Sequence, residues 1–454
     1  MKKVEVLLLV LMLFSTSMVY ASGLAMPEQG AAAMGLSAAV TARSEDLSAI
    51  FYNPAGIDYV ENFDLMFGLT PIIPSHEYHP FREQEDIFSS IESESKTFLP
   101  PQIYAAWRAK DNMVIGLGVY APFGLGTEWD EKWDGRYTST LADVQNIHIT
   151  PTIAYTVNEM VSIGLGVSYI TSKATMEKMV DTGGLISPAL AANTVYDSKF
   201  AFDGDGSAFN FNIGTIIRPI GKLQLGVSYR SAFDIDYDVT AKFTHKDTLK
   251  TITLAENYTA YDEISTEMPL SQDGTATLNM PWMLNFGLKY DVSDVWDTSF
   301  DIDFVGWSVY EKLVLDLDKD KPKDKITFPK DWENSFILRG GTTFKVNESF
   351  VARGGVMFDK NPVPDETFDG QLPDSNRWAL SIGAGYKLGM MQLDASYMLL
   401  KFFNREKENA VGIDTDYTGD GIVDRFDIPV GYPVGNGKYK GIAHLFSASA
   451  SFKF

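Results

Sequence analysis

The chain has 454 residues, 45% hydrophobic and 13% aromatic, with 37 glycines, no cysteine and a formal net charge of -22. So large a carboxylate excess argues against nucleic acid as a partner, because phosphates need lysine and arginine to neutralise them, and against a basic patch for anionic lipid. Without cysteine no disulfide can brace the mature chain, and the length allows one large all-β domain or two to three ordinary ones.

Residues 1–21 read as a signal peptide: Lys2 and Lys3 precede an apolar core from Val6 to Phe14, and Val19 and Ala21 are the small-residue positions before a cut ahead of Ser22. That core is too short to span a bilayer, and no later stretch approaches the roughly 20 apolar residues a membrane helix needs. A Gram-negative envelope is the setting this implies. Residues 22–40 are rich in small side chains and poor in branched ones, so their strand propensity is weak. Next, Ser44 to Gly56 carries the apolar run Leu47 to Tyr52 followed by Asn53-Pro54-Ala55-Gly56. Pro54 removes a backbone donor and biases Asn53 away from helical angles, which describes a short helix ended by a turn. Lying between a secretion signal and about 400 residues of strand-like pattern, residues 22–56 fit a hatch that plugs a barrel. A plain linker is the alternative.

From residue 57 to 454 the pattern is period two. In the run Gln145 to Tyr155, Ile147, Ile149, Ile153 and Tyr155 share one face while Thr150, Thr152 and Ala154 share the other. Residues 223–230 and 393–397 behave alike. The period-two template gives about fourteen strands, starting near Phe63, Pro101, Met113, Val144, Val161, Phe209, Leu223, Thr277, Thr298, Phe336, Phe350, Trp378, Met391 and Ile442. Tight turns such as Lys110-Asp111-Asn112 and Val157-Asn158-Glu159 alternate with long acidic loops such as residues 76–97 and 406–438. Aromatic residues collect at strand ends (Tyr155, Tyr169, Tyr229, Tyr290, Tyr386), as a membrane girdle requires. The last strand ends on Phe454, like the terminal aromatic by which barrels are handed to the outer-membrane assembly machinery. The expected fold is all-β: a transmembrane antiparallel β-barrel with an N-terminal periplasmic hatch in its lumen. A soluble sandwich or propeller shares the period but not the girdle or the loop alternation.

Several motifs, in order, resemble the FadL family of outer-membrane hydrophobic-compound transporters. They are Asn53-Pro54-Ala55, residues 121–129 (Ala121-Pro122-Phe123-Gly124 onward), Trp133-Asp134-Gly135-Arg136-Tyr137, residues 331–336, residues 361–365, residues 372–377 and the aromatic C-terminus. The resemblance implies passive transport of long-chain fatty acids or similar lipophilic compounds, bound from outside and released laterally through a kinked third strand. An aromatic hydrocarbon channel is the alternative within the family. Carried onto this chain, Asn53, Pro54 and Ala55 belong to the hatch. Gly116 and Gly118 are candidates for the kink, since glycine inside a strand permits bends; relief of packing against the hatch is the other reading.

A fatty acid would need a cation for its carboxylate. Lys173 stands where the family carries a basic head-group contact, yet alternation puts it on the lipid side unless a bulge intervenes. Arg136, Arg339, Arg353 and Arg377 are further candidates, with pairing to wall carboxylates as the other reading of each, and Phe123 is a candidate ligand contact. Catalysis has little support: no zinc-type histidine spacing or nucleophile elbow is present, so no enzyme is expected, although His148 among wall serines keeps a lipid hydrolase as an alternative. A surface adhesin or receptor role would rest on the long loops. The expected partners are hydrophobic small molecules, outer-membrane lipids and lipopolysaccharide, with a monomeric barrel. No cofactor is required. Residues Asp416, Thr418, Asp420, Ile422, Asp424 and Asp427 reproduce the order of a calcium loop, with Asp427 where a bidentate Glu normally sits; the two readings are a structural calcium in an extracellular loop, at millimolar to sub-millimolar affinity, and an acidic solvated turn.

Overall fold

The computed structural model describes residues 23–26, 28–81, 90–94, 96–317, 325–411 and 434–454. The signal peptide and the calcium-type loop at 416–427 lie outside the described residues. Fourteen staves form one antiparallel sheet. β1 comprises Phe63–Leu69 and Ile72–Pro80, β2 Pro101–Lys110, β3 Met113–Tyr120 and Gly124–Glu128, β4 Leu141–Asn158, β5 Val161–Val180, β6 Ser198–Ile220, and β7 Leu223–Arg230 and Phe233–Thr244. β8 comprises Ser271–Met280 and Trp282–Ser293, β9 Trp296–Gly306 and Lys312–Asp316, β10 Lys325–Pro329 and Ser335–Lys345, β11 Phe350–Asp359, β12 Arg377–Leu388, β13 Met391–Phe402 and Arg405–Lys407, and β14 Gly437–Lys453. β1 pairs with β14 on one side (Phe67 opposite Ala450) and with β2 on the other (Phe67 opposite Ile103), which closes the wall. Closure leaves no sheet edge to satisfy in lipid.

Side chains alternate as the sequence predicts. Ile147, Ile149, Ile153 and Tyr155 are exposed on the outside of β4, while His148, Thr150, Thr152 and Ala154 are buried toward the lumen. Several staves run further than hydrophobic alternation shows. β6 begins at Ser198 rather than near Phe209, and its outward residues there include Asp203 and Asp205. Apolar alternation stops at the lipid boundary, whereas the hydrogen-bonded ladder continues into the aqueous layer. For the same reason residues 76–80, expected in a loop, belong to β1: they gain a ladder partner in β14, with His76 opposite Gly441.

Residues 23–26 and 28–60 run inside this wall. They form two one-turn helices, Ala31–Met34 and Ala49–Tyr52, and a 3-10 segment Pro54–Tyr59. Small side chains suit the task, because the segment must lie backbone against backbone. Asn53 is fully buried; its Nδ2 donates to Thr41 O (2.8 Å) and Thr215 O (3.1 Å), and its Oδ1 accepts from Ala55 N (3.2 Å). The wall makes room with glycines. Gly164 and Gly214 are cross-strand partners on β5 and β6. A Cβ on Gly164 would come within 2.3 Å of Ala55 N, and one on Gly214 within 2.0 Å of Asn53 Oδ1.

Two substitutions probe this seat from opposite sides. Gly164→Val should force the Pro54–Ala55 backbone off the wall, and Asn53→Ala should strand buried backbone groups at roughly 1–3 kcal/mol each. Both barrels should fold, but trypsin should cut at Arg43 and planar bilayers should show a steady conductance. Trypsin resistance together with silent bilayers in both variants would mean that the seat does not hold the segment.

Candidate transport site

The outer end of the lumen holds a cavity of about 710 Å³ whose apolar lining includes Met176, Phe200, Phe202, Leu313 and Phe328. A smaller cavity of about 30 Å³ lies next to it, shares Met176, Lys330, Thr367, Asp369 and Gln371, and reaches Leu24, Tyr310 and Trp332. Lys330 stands at the junction of the two, with Nζ donating to Asp369 Oδ2 (3.0 Å) and Gln371 Oε1 (2.9 Å). Apolar walls with a few fixed polar groups are what a hydrophobic ligand needs.

An aromatic cap packs beside this chamber. Trp129 and Trp133 stack at 4.6 Å, Tyr78 meets the Trp133 edge at 5.4 Å, and Phe368 meets Tyr439 at 5.2 Å. Gly135 and Gly370 leave space for the Trp133 ring, which a Cβ on either would contact at 2.2 or 2.3 Å. Burial pushes the Asp134 carboxyl up to about 7, against the Tyr78 hydroxyl that donates to it (3.1 Å) and the nearby Arg136 charge.

β3 is interrupted at residues 121–123, where Pro122 cannot donate to a ladder. Below the break it pairs with β2 as far as Tyr120 opposite Gln102; above it, Gly124–Glu128 pairs only with β4 among the described strands. The N-terminal segment takes up the freed groups: Met26 N donates to Pro122 O (2.8 Å), Gly124 N to Leu24 O (3.0 Å), and Gln29 Nε2 to Ala121 O (3.0 Å). Ala25 thereby forms a bridge with Phe123. Phe98 fills the notch left by Gly126, where a Cβ would sit 1.8 Å from the ring. Just inside lies a cavity of about 110 Å³ lined in part by Met26, Glu28, His76, Phe98 and Gly124.

The sequence-derived candidates divide accordingly. Asn53, Pro54 and Ala55 lie together at the wall. Gly116 and Gly118 do not make the kink: they stand in regular ladder opposite Ala106 and Tyr104, and a Cβ on them would meet Ile50 at 3.0 and 2.9 Å, so they relieve packing against the inner segment. Lys173 is corrected too, because β5 runs without a bulge there and its side chain is 80% exposed, 3.5 Å from outward Asp205. It cannot meet a ligand in the lumen. Arg136 is held by Asp197 (2.9 Å), Arg339 by Asp303 (2.7 Å), Arg353 by Asp394 (2.7 Å) and Arg377 by Asp359 (2.8 Å). Arg136 also serves loop structure, through Ala192 O. Phe123 is buried at the break against Phe233 and His148. No serine bonds to His148, whose ring nitrogens both lack a partner. Sequence reasoning missed Phe98, Pro122, Gly126 and Lys330; Pro122 inside a strand run was the one usable signal.

The family model described as outer membrane protein transport protein (OMPP1/FadL/TodX) matches residues 12–454. A long-chain fatty acid transport protein of Escherichia coli O6:H1 is 25% identical over 372 residues, covering 78% of this chain and 81% of that one. The fold resembles a FadL homologue of Pseudomonas aeruginosa, with a TM-score of 0.80 at 18% identity over 95% of this chain and 100% of the other. It also resembles the toluene transporter TodX of Pseudomonas putida, with a TM-score of 0.67 at 14% identity over 94% of this chain and 98% of the other.

The cap should respond to pH. Asp134 in the folded cap keeps its proton up to about 7, whereas the unfolded carboxyl loses it near 3.8. The folded form therefore binds more protons between those values, so cap stability is greatest below about pH 4, declines toward pH 7 and is level above. Unfolding followed by tryptophan fluorescence from pH 4 to 8 should show this slope in the wild type and a shallower one in Asp134→Asn. Equal slopes would remove Asp134 as a cause.

Proposed function

Because the chain belongs to the outer membrane protein transport family (OMPP1/FadL/TodX), whose members are transport channels and not enzymes, we propose that it takes up long-chain fatty acids or similar lipophilic compounds by lateral release. It is an outer-membrane transporter of hydrophobic compounds. In the proposed route, the compound enters the apolar chamber under the aromatic cap, passes Lys330, displaces residues 24–26 and leaves through the interruption of β3. Residues 22–56 act as the hatch that keeps ions out meanwhile.

One observation carries this reading: between Tyr120 and Glu128, whose carbonyl accepts from Glu94 N (2.9 Å), β3 has no stave pairing on its β2 side, and the N-terminal strand at residues 24–26 fills the gap. Removing that strand exposes an opening without breaking any stave-to-stave ladder. The break stands near the outer lipid boundary, since Gly124 is level with Gln145 and Lys173, just above outward-facing Ile147. A hydrophobic molecule leaving there meets the outer part of the bilayer and never crosses water.

The absence of natural cysteine makes the test clean. The two backbone bonds flank Ala25 and Phe123, which makes them a non-hydrogen-bonded antiparallel pair, the closer kind and the one suited to a disulfide. Ala25→Cys with Phe123→Cys, oxidised in whole cells, should abolish uptake of labelled oleate, and reduction should restore it. Undiminished uptake by the fully oxidised double variant would place the exit elsewhere.

A further inference from the structure

Gly23, where the described chain begins, lies inside the barrel wall. The Trp332 and Trp307 rings press on it, since a Cβ there would come within 2.4 and 3.0 Å of them. Its N–H donates to Asp374 Oδ2 (2.9 Å), a carboxylate 2% exposed in the loop between β11 and β12. The cavity of about 110 Å³ beside the β3 interruption is lined by Gly23 together with Glu28, His76, Asp374 and Arg377.

Charge is out of balance around that cavity. Glu28, Asp359 and Asp374 are each at least nine-tenths buried, and the buried guanidinium among them, Arg377, is taken by Asp359 (2.8 Å). Arg339, the next guanidinium, is taken by Asp303 (2.7 Å), and Arg405, whose Nη1 donates to Asp374 O (3.0 Å), pairs with Asp365 (2.7 Å). Among the described residues neither Glu28 nor Asp374 has an ion-pair partner. Burial pushes the Asp374 carboxyl up to about 6 despite the Arg377 charge. Oδ1 of Asp359 and Nδ1 of His76 also lack a partner, although both side chains are more than nine-tenths buried. Buried carboxylates left uncompensated are costly, so the cluster calls for one more cation.

We propose that export processing supplies it: cleavage ahead of Ser22 leaves an α-ammonium that enters this cavity and pairs with Asp374, clamping the free end of the strand that seals β3. The exporting peptidase adds water across the Ala21–Ser22 bond, so the Ala21 carbonyl leaves as a carboxylate and the Ser22 nitrogen becomes an ammonium. One residue of backbone then holds that nitrogen within about 7 Å of Asp374. At that range a charge pair in a water-poor site is strong. A leader left in place would put an uncharged peptide bond where charge is needed. The clamp's effect on sealing rests on the transport reading above, whereas the pair itself stands on the cavity.

The test uses the full-length mature protein taken from outer membranes into detergent. Intact mass and N-terminal sequencing should give Ser22 as the first residue. Carbamylation by cyanate, which reacts only with an unprotonated amine, is then followed from pH 6 to 10 on the N-terminal peptide by mass spectrometry. A free α-amine titrates at about 7.7–8.0; in the folded wild type the midpoint should lie about one unit higher, the direction that neighbouring carboxylates impose. Asp374→Asn should bring it down and speed labelling at pH 8 roughly 10-fold, since one unit is a factor of ten. If that variant fails the heat-mobility test of a folded barrel, a Gly-Ser-Gly-Ser insertion after Ala21 serves: it carries the ammonium away from Asp374 and should restore the ordinary midpoint. A first residue other than Ser22, or a rate and midpoint that the folded variants leave unchanged, overturns the pair. Neither result touches the transport reading, which the double-cysteine variant tests.

Discussion

The structure depends on how a closed wall accepts a second layer of backbone. A barrel satisfies its own peptide groups, but an inner segment does not, and water is scarce at its contacts. The wall meets this with paired glycines. Gly226 and Gly287, neighbours on β7 and β8, receive Thr41 and Ala42; Gly341 and Gly355, on β10 and β11, receive Leu36 and Ser37. With Gly164 and Gly214 they make three slots spaced around the circumference. Carboxylates and guanidinia then fix the inner turns: Asp301 accepts from Thr41 N (2.7 Å), and Arg339 donates to Ser37 O (3.0 Å). Ser37 and Ala38 are held at positive φ, 50° and 60°, a conformation alanine adopts only where surrounding bonds compel it.

The same logic governs the charges that face the lumen. Arg43, Arg339, Arg353 and Arg377 each reach an aspartate, so the inner cations serve to hold the inner segment and the wall together. Each pair is buried or nearly so, and its Coulomb attraction chiefly offsets desolvation rather than adding stability. What the pairs add is position. That is why a count of lumenal arginines misleads about ligand recognition.

Much of the fold was legible in the sequence because the barrel repeats one rule. Outward Ile147, Ile149 and Ile153 against inward Thr150 and Thr152 fix register over the lipid, and the alternation of short and long connections fixes direction. The upper halves of the staves were not legible, since outward Asp203 or Lys173 gives the strand no apolar face to read. Site residues were less legible still. Asn53 and Pro54 carry local backbone constraints that a sequence displays, whereas the pairing of Arg339 with Asp303 joins two staves across 36 residues of chain. Gly116 and Gly118 drew attention as flexible points, yet the ladder holds them straight; the interruption falls three residues beyond Gly118, at Ala121 to Phe123, where a missing donor rather than a missing side chain decides.

Under the proposed lateral route, magnitudes favour opening at the interruption over parting two intact staves among the described residues. Leu24, Met26 and Gln29 are tied to the β3 interruption by three hydrogen bonds, each worth roughly 0.5–1.5 kcal/mol net, so releasing those bonds costs only a few kcal/mol. Parting two intact staves in lipid would strand peptide groups on both edges at several kcal/mol each, with no water to repair them. β5 and β6 share twenty registered positions from Val161 to Val180, far beyond what a ligand could offset. A lipophilic molecule that buries its tail where Leu24, Ala25 and Met26 lie supplies apolar contact of the same order as the bonds it displaces. In the proposed route the interruption is thus the place, among the described residues, where ligand binding and wall opening are energetically matched, with the N-terminal strand as both the seal and the element the ligand competes with.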